Sequence, residues 1–316
     1  MSRLPFPSFL DDFPHILGEG AVIERIRRET EFELDPHVVN SAFIYDEPKR
    51  TVLEAIFCQY LDIGRQYDLP LLLSTPTWRA SRERITAAGY GHKDVNRDNY
   101  DFLDALRNRY GPYADKVAIC GLMSCRGDAY DPDQTLSASE AQAFHTWQAE
   151  KLSQTDVDFM LAATLPALSE AIGLAAAQAA TGKPYIISFI ARPEGTLLDG
   201  TPLKAAIGTI DAQIRPQPLA YLINCTHASI FKSALLHADN SSAQVRNRVR
   251  GLLANTAALT PEELDDSEQL MSEAPEIFGQ SVADLKKDLG MKILGGCCGT
   301  NDRHIGQLAR HLAEAN

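Results

Sequence analysis

The feature that most constrains the fold is a regular alternation of short apolar runs with amphipathic segments along the whole chain. Eight runs have the β-branched and apolar residues of buried strands, and segments with helical periodicity separate them. The predicted strands cover residues 15–17, 70–74, 117–122, 159–163, 185–190, 220–224, 251–255 and 292–295. The main predicted helices cover residues 51–67, 100–110, 140–151, 169–180, 202–213, 276–289 and 302–314.

This alternation predicts parallel strands joined by right-handed helical crossovers. Eight such units in 316 residues fit an α/β fold, the (β/α)8 TIM barrel, as a single domain over residues 1–316. An open doubly wound sheet is the structural alternative. Two features favour the barrel: no Gly-x-Gly-x-x-Gly motif follows the first strand, and the last strand–helix unit extends to the C-terminus. The longest expected loops cover residues 78–99, 126–139 and 256–274.

Composition excludes several classes of function. Apolar residues make up 45% of the chain and charged residues 23%, as in an ordinary globular protein. The formal net charge is −12 and basic residues are scattered among acids, so we expect neither nucleic acid nor a membrane as a partner. The first residues lack the apolar core of a signal peptide, so we expect a cytoplasmic protein. A reducing compartment favours thiolate chemistry over disulfides for its six cysteines.

Three cysteines lie at predicted strand ends, where a barrel of this kind carries its chemistry. Cys225 ends the sixth strand, and Cys297 and Cys298 follow the eighth. Three thiols with one open position form the ligand set of a catalytic zinc site, and thiolates suit zinc better than harder ions. The preceding Gly295 and Gly296 would let the backbone turn tightly. The alternative is that these cysteines are small buried residues or an oxidised vicinal pair.

The other three cysteines are interpreted differently. Cys58 lies in a predicted helix and Cys120 lies within the third predicted strand, so core packing is the favoured interpretation for both. Cys125 lies nearer the barrel mouth, and its role stays open.

The cysteine motifs resemble those of the zinc-dependent homocysteine S-methyltransferases. This family includes the betaine–homocysteine and S-methylmethionine–homocysteine enzymes and the homocysteine domain of cobalamin-dependent methionine synthase. In that family, Asn-Cys follows strand six and Gly-Gly-Cys-Cys-Gly follows strand eight, as Asn224-Cys225 and residues 295–299 do here. Weaker matches are ILGEGAVIER at 16–25, STPTWRAS at 74–81 and ISFIARPEGTLLDGTPL at 187–203. The resemblance therefore covers nearly the whole chain.

The resemblance implies a methyltransferase of methionine biosynthesis that binds Zn²⁺ through Cys225, Cys297 and Cys298. A thiol bound at such a zinc ion would act as a thiolate nucleophile. It would attack the methyl group of a sulfonium or quaternary ammonium donor, placed in line with the sulfur.

Five further residues are candidate substrate contacts. Glu19 follows strand one, where the family has an acidic residue that helps to hold the amino-acid end of homocysteine. Trp78 offers an aromatic face to a cationic donor. Asn224 and Asn255 offer hydrogen bonds at the barrel mouth, and Thr164 ends strand four.

One position departs from the family pattern. The family has Glu-Thr at the end of strand four, whereas this chain has Ala163-Thr164. The missing Glu is the family's second contact with the substrate amino group, so an acceptor other than homocysteine stays open.

Three functions stay open at this point. The leading hypothesis is zinc-dependent transfer of a methyl group from a small donor to a thiol such as homocysteine. A second is a demethylating or corrinoid-partnered methyltransferase of the same fold, and a third is a non-catalytic zinc-binding or redox-sensing barrel. The expected partners are a small thiol and a methyl donor, while a corrinoid protein partner and a homo-oligomer both stay open.

Overall fold

Eight parallel strands pair in chain order and close into a barrel, in a computed structural model that describes residues 4–259 and 272–314. The strands are β1 (Ile16–Gly18), β2 (Leu71–Ser74), β3 (Val117–Ser124), β4 (Phe159–Leu165), β5 (Tyr185–Phe189), β6 (Ala220–Thr226), β7 (Val249–Ala254) and β8 (Ile293–Gly296). Because β1 pairs with both β2 and β8, the sheet has no free edge. The predicted barrel is confirmed, with every strand end within two residues of its predicted position, and the open sheet is ruled out.

Twelve α-helices occur among the described residues. They are α1 (Phe6–Asp12), α2 (Ile23–Glu29), α3 (Glu47–Gln66), α4 (Arg82–Ala87), α5 (Val95–Asn108), α6 (Ala138–Ser153), α7 (Leu168–Ala179), α8 (Leu203–Gln213), α9 (Ala228–Leu236), α10 (Ala243–Arg248), α11 (Pro275–Leu289) and α12 (Asp302–Glu314). The seven predicted helical segments are confirmed with shifted ends. The sequence pattern misses the five helices of nine residues or fewer, since they are shorter than the window over which helical periodicity is a clear signal.

The strands are apolar on both faces because each packs between the barrel interior and the surrounding helices. All seven residues of β4 and all seven of β6 are buried. Leu73 and Ile187 belong to the large core cluster that includes the helices, whereas Leu161 and Leu222 belong to a second cluster formed by alternate strand residues. Cys120 lies in this second cluster, in agreement with its predicted packing role.

Helix α1 packs against the N-terminal end of the barrel. The ring of Phe6 stacks on that of Phe159 with centroids 3.7 Å apart, and Phe9 is also buried. Lys292, just before β8, donates to the backbone carbonyl of Asp11 at 2.8 Å. The opposite, C-terminal end of the barrel is therefore the end that is available for a site.

The loops agree only in part with expectation. The predicted loop at 78–99 is wrong for much of its length, because it contains α4 and the start of α5. The predicted loop at 126–139 is present between β3 and α6 and contains a 3₁₀ turn at Pro132–Gln134. The predicted loop at 256–274 lies partly outside the described residues. Across the described ranges, we find no helix with the length and apolar character needed to cross a membrane.

Candidate active site

A cavity of about 320 Å³ lies at the C-terminal end of the barrel. Its lining includes the apolar side chains of Leu122, Leu161 and Leu253, from β3, β4 and β7. Most of the candidate site residues also line it, namely Glu19, Trp78, Thr164, Asn224, Cys225, Cys297 and Cys298. The structure thus brings these candidates together in one place.

Cys225, Cys297 and Cys298 hold their Sγ atoms within 4.8 Å of one another. The Sγ atom of Cys298 lies 3.8 Å from that of Cys225 and 4.0 Å from that of Cys297. Cys225 belongs to β6, and the other two residues directly follow β8. All three are free thiols in this structure, so it contains no oxidised vicinal pair at residues 297 and 298.

This spacing fits a single zinc ion. Zinc binds cysteine sulfur at about 2.3 Å, and a tetrahedral arrangement at that bond length places two sulfur atoms about 3.8 Å apart. The separations of the Cys298 sulfur from those of Cys225 and Cys297, 3.8 and 4.0 Å, are close to that value. An all-sulfur donor set suits zinc and does not suit magnesium or calcium.

Gly295 and Gly296 are required by close packing rather than by a turn. A Cβ atom at position 295 would lie 2.6 Å from the Cα atom of Gly18, and one at position 296 would lie 2.4 Å from Oγ1 of Thr300. The residue with left-handed backbone is Gly299, with φ of 81°. The expected tight turn at 295–296 is therefore wrong. Both glycines lie within β8, where they allow close contact with Gly18 of β1 and with Thr300.

Hydrogen bonds among the thiols favour one thiolate in the cluster. The thiols of Cys297 and Cys298 hydrogen-bond to Cys225 and lower the pKa of Cys225 well below its usual value, although burial opposes this. The same hydrogen bonds raise the pKa of Cys297 and of Cys298. Of the three thiols, Cys225 is therefore the one whose thiolate form is most favoured.

Asn224 connects the ends of two strands beside the cysteines. Its Oδ1 accepts hydrogen bonds from the backbone N–H of Thr164 at 2.9 Å and from the hydroxyl of Ser188 at 2.6 Å. Its Nδ2 donates to Oγ1 of Thr164 at 2.8 Å and to the sulfur of Cys225 at 3.4 Å. Because the amide is fully used by these protein groups, Asn224 positions Thr164 and Cys225 rather than offering a free hydrogen bond to a ligand.

Glu19 directly follows β1 and presents a carboxyl group with one oxygen atom unpartnered. Its Oε1 accepts a hydrogen bond from the backbone N–H of Ser74 at 3.0 Å, whereas its buried Oε2 has no partner among the described residues. Burial raises the pKa of Glu19 to about 8, although the hydrogen bonds from Ser74 oppose this. An ammonium group in the cavity would supply the missing hydrogen bond and favour the carboxylate form.

Trp78, Ala163 and Asn255 differ in how they relate to the cavity. Trp78 lines it and also contacts the guanidinium of Arg79, which lies 4.3 Å from the ring centroid. Ala163 lines it and contributes no charge. Asn255 is not among the lining residues: it is buried and donates to the backbone carbonyl of Cys225 at 3.3 Å.

Tyr130 also lines the cavity, and sequence reasoning does not single it out. It lies in the β3–α6 loop, residues 125–137, and it lines the cavity together with Cys225 and Cys298. The negative charge of Cys225 raises the pKa of the Tyr130 hydroxyl. An aromatic residue in a long loop is the only signal in the sequence, and it does not show that the loop reaches the cysteines.

Glu170, on α7, anchors this loop at both ends. Its fully buried carboxylate accepts hydrogen bonds from the backbone N–H groups of Arg126 at 2.7 Å and Leu136 at 3.3 Å. Nε2 of the buried His145 lies 2.9 Å from the same carboxylate. The loop that carries Tyr130 is therefore tied to the helix layer.

Comparisons with known proteins agree with the geometry. The family model described as homocysteine S-methyltransferase matches residues 16–312. The homocysteine S-methyltransferase YbgG of Bacillus subtilis (strain 168) is 22% identical over 328 aligned residues, which cover 96% of this chain and 96% of that protein. Betaine–homocysteine S-methyltransferase 1 of Bos taurus is 26% identical over 190 residues, covering 56% of this chain and 45% of that protein.

Solved structures show the same fold. The oxidized form of the homocysteine methyltransferase MmuM from Escherichia coli superposes with a TM-score of 0.76 at 21% identity, covering 97% of this chain and 99% of that one. The metallated form of the same enzyme gives a TM-score of 0.74 at 21% identity with the same coverage. Both likenesses extend over almost the whole of each chain.

Proposed function

Because the chain belongs to the homocysteine S-methyltransferase family, and is therefore a methyltransferase, we propose that it transfers a methyl group from a small donor to a thiol with the help of one zinc ion. The proposed acceptor is a thiol such as homocysteine, which membership of the homocysteine S-methyltransferase family supports. The proposed donor is a sulfonium or quaternary ammonium compound, because such a donor loses its positive charge as the methyl group leaves.

The observation that carries the proposal is the convergence of Cys225, Cys297 and Cys298 on one point of the cavity. These three residues would hold the ion and leave a fourth position open to the acceptor. When bound, zinc would lower the pKa of the acceptor thiol so that the sulfur is nucleophilic at neutral pH.

The remaining roles belong to side chains of the chain itself. Glu19 would accept a hydrogen bond from the acceptor's ammonium group at its unpartnered Oε2. Trp78 would provide one wall for a cationic donor. Leu122, Leu161 and Leu253 would keep water from the sulfur and methyl group while they react.

The alanine at position 163 leads to a prediction about the affinity of the site for homocysteine. In this cavity Glu19 is the carboxyl group with a free oxygen, since both oxygens of Glu24 already accept hydrogen bonds from Arg28 and Gly299. We expect Ala163→Glu to tighten homocysteine binding about tenfold by adding a second charge-assisted contact. Calorimetry on the zinc-loaded protein measures this, and an unchanged or weaker affinity would argue against the assigned position of the amino group.

The activity itself is tested with purified protein, homocysteine, and either S-methylmethionine or betaine as the donor. We expect methionine to form with at least one donor, and we expect Cys298→Ala to abolish its formation together with zinc binding. Cys58→Ala is the matched control, because Cys58 lies in α3 and outside the cavity. Full activity in the Cys298→Ala protein would overturn the proposed site.

A further inference from the structure

A second and larger cavity, of about 780 Å³, lies beside the first. Three arginines line it: Arg79 from the β2–α4 loop, Arg84 from α4, and Arg126 from the β3–α6 loop. Glu83 and Asp128 are the acidic residues of its lining. We refer to it as the arginine groove. It is separated from the cysteine cavity by the contact between the Trp78 ring and the Arg79 guanidinium.

Arg79 is the most unusual member of the groove. It is only 8% exposed, and no carboxylate of the described residues forms an ion pair with it. Its Nη1 donates to the backbone carbonyls of Cys125 at 2.7 Å, Arg126 at 3.1 Å and Gly127 at 2.6 Å. Its Nε and Nη2 make no hydrogen bond to a described residue and are not enclosed, so they remain available to a ligand. A buried guanidinium normally has an anionic partner.

Arg84 repeats this pattern. Nη1 and Nη2 of Arg84 donate to the carbonyls of His37 at 3.1 Å and Arg126 at 3.3 Å, and no described carboxylate forms an ion pair with it. Burial and then the charge of Arg79 lower the pKa of Arg84, which shows that the two cations are close enough to repel each other.

The acids of the groove do not neutralise these two arginines. Glu83 pairs with Arg126, with Oε2 3.2 Å from Nε and Oε1 3.3 Å from Nη2. Asp128 accepts a hydrogen bond from the backbone N–H of Tyr130 at 2.9 Å. The charge of Glu83 also acts on Arg84, but three arginines against two acids leave the lining with one positive charge in excess. The groove therefore keeps a positive charge within a chain whose net charge is −12.

We propose that the arginine groove binds the anionic group, a carboxylate or a phosphate, of a small molecule. Planar guanidinium groups match the oxygen atoms of both anions, and an anion between Arg79 and Arg84 would remove their mutual repulsion. Anion binding in this groove would require neither methyl transfer nor zinc.

The test is a titration of the full chain with inorganic phosphate and, separately, with malonate, at constant ionic strength. The chain has two tryptophans, so Trp147→Phe leaves Trp78, which contacts Arg79, as the only one. We expect a saturable change of Trp78 fluorescence and a matching rise in melting temperature. Tighter binding of phosphate would identify a phosphate group, and tighter binding of malonate a carboxylate.

Two variants separate a specific site from general charge screening. We expect Arg84→Gln to weaken binding about tenfold, because it removes one charge-assisted contact. The matched control is Arg82→Gln, since Arg82 lies on the same helix but outside the groove and is exposed. Arg126→Gln, on the exposed side of the groove, provides a second loss-of-binding variant if Arg84→Gln lowers the melting temperature without anions.

A response that does not saturate, or equal affinities for Arg84→Gln and Arg82→Gln, would overturn the proposal. Because neither measurement uses zinc, homocysteine or a methyl donor, that failure would leave the proposed methyl transfer untouched. Conversely, an inactive enzyme that still binds anions would contradict the proposed function alone.

Discussion

Thr164 and Cys225 both adopt left-handed backbone conformations, with φ of 62° and 49°. This conformation is rare for a β-branched residue such as threonine and costs on the order of 1–3 kcal/mol. Asn224 offsets that cost, because its amide hydrogen-bonds to both the backbone and the side chain of Thr164. The buried amide of Asn224 thus stabilises a strained backbone that places the Cys225 side chain near the other two cysteines.

Only part of this arrangement could be predicted from the sequence. The three cysteines could be found because they stand at predicted strand ends, which meet at one end of any parallel barrel. The role of Asn224 as a positioning residue could not be found, since its partners Thr164 and Ser188 lie on two other strands. The sequence predicts that Asn255 offers a hydrogen bond at the mouth, whereas its side chain donates to the backbone carbonyl of Cys225, a contact that depends on side-chain orientation.

The raised pKa of Glu19 predicts that the free energy of unfolding depends on pH. Burial raises its pKa to about 8, from an ordinary value of 4.5 in the unfolded chain. Between pH 4.5 and 8 the folded protein keeps a proton that the unfolded chain has released, so this group's contribution to stability falls as pH rises. From pH 6 to pH 8 the loss should be about 2 kcal/mol.

Urea unfolding of the metal-free protein at these two pH values measures the effect. We expect Glu19→Gln to reduce the fall in the free energy of unfolding between pH 6 and pH 8, because the amide does not titrate. A wild-type protein and a Glu19→Gln variant with the same pH dependence would show that Glu19 is ionised in the folded state across this range.

The β3–α6 loop shows how one secondary-structure element controls another. Glu170 on α7 accepts hydrogen bonds from the backbone at both ends of the loop, and Tyr130 in between lines the cysteine cavity. In Glu170→Gln, the amide nitrogen is a donor and cannot accept a hydrogen bond from the backbone N–H group that it faces. The loop should therefore open more often than in the wild type.

Limited trypsin digestion measures this opening, since the exposed Arg126 is a cleavage site within the loop. We expect cleavage after Arg126 to become several-fold faster in Glu170→Gln. Glu150→Gln is the control, because Glu150 is an exposed residue of the neighbouring α6. Equal cleavage rates in the two variants would show that Glu170 does not anchor the loop.

Elements differ in how well the sequence predicts them. The strands were predictable because burial on both faces requires continuous apolar runs, such as the seven buried residues of β4. Short helices such as α4 and α9 carry too few periodic residues to stand out from loops. The path of a loop depends on anchors such as Glu170, which are distant in sequence, so the position of Tyr130 could not be predicted.

At the level of the whole molecule, the two ends of the barrel differ in role: one end is closed by packing, and the other carries the candidate site. Helix α1 closes one end through the stacking of Phe6 on Phe159, while the cysteines lie at the other end. We expect Phe6→Ala to lower the free energy of unfolding by about 3–5 kcal/mol, because it removes a buried aromatic ring and leaves a cavity.

Zinc content should stay unchanged in Phe6→Ala, which metal analysis of the folded protein measures alongside urea unfolding. The control is Leu4→Ala, since Leu4 is 44% exposed and should affect stability little. Loss of zinc in a folded Phe6→Ala protein would contradict the separation between the two ends of the barrel.

In the proposed function, Cys225, Cys297 and Cys298 hold one zinc ion that accepts a thiol. Zinc-edge X-ray absorption of protein purified without added metal tests it most directly, with and without homocysteine. We predict one zinc per chain with three sulfur neighbours, rising to four when homocysteine is added, and no zinc in Cys298→Ala. Absence of zinc from the wild type, or an unchanged sulfur count in Cys298→Ala, would show that these cysteines do not form a zinc site.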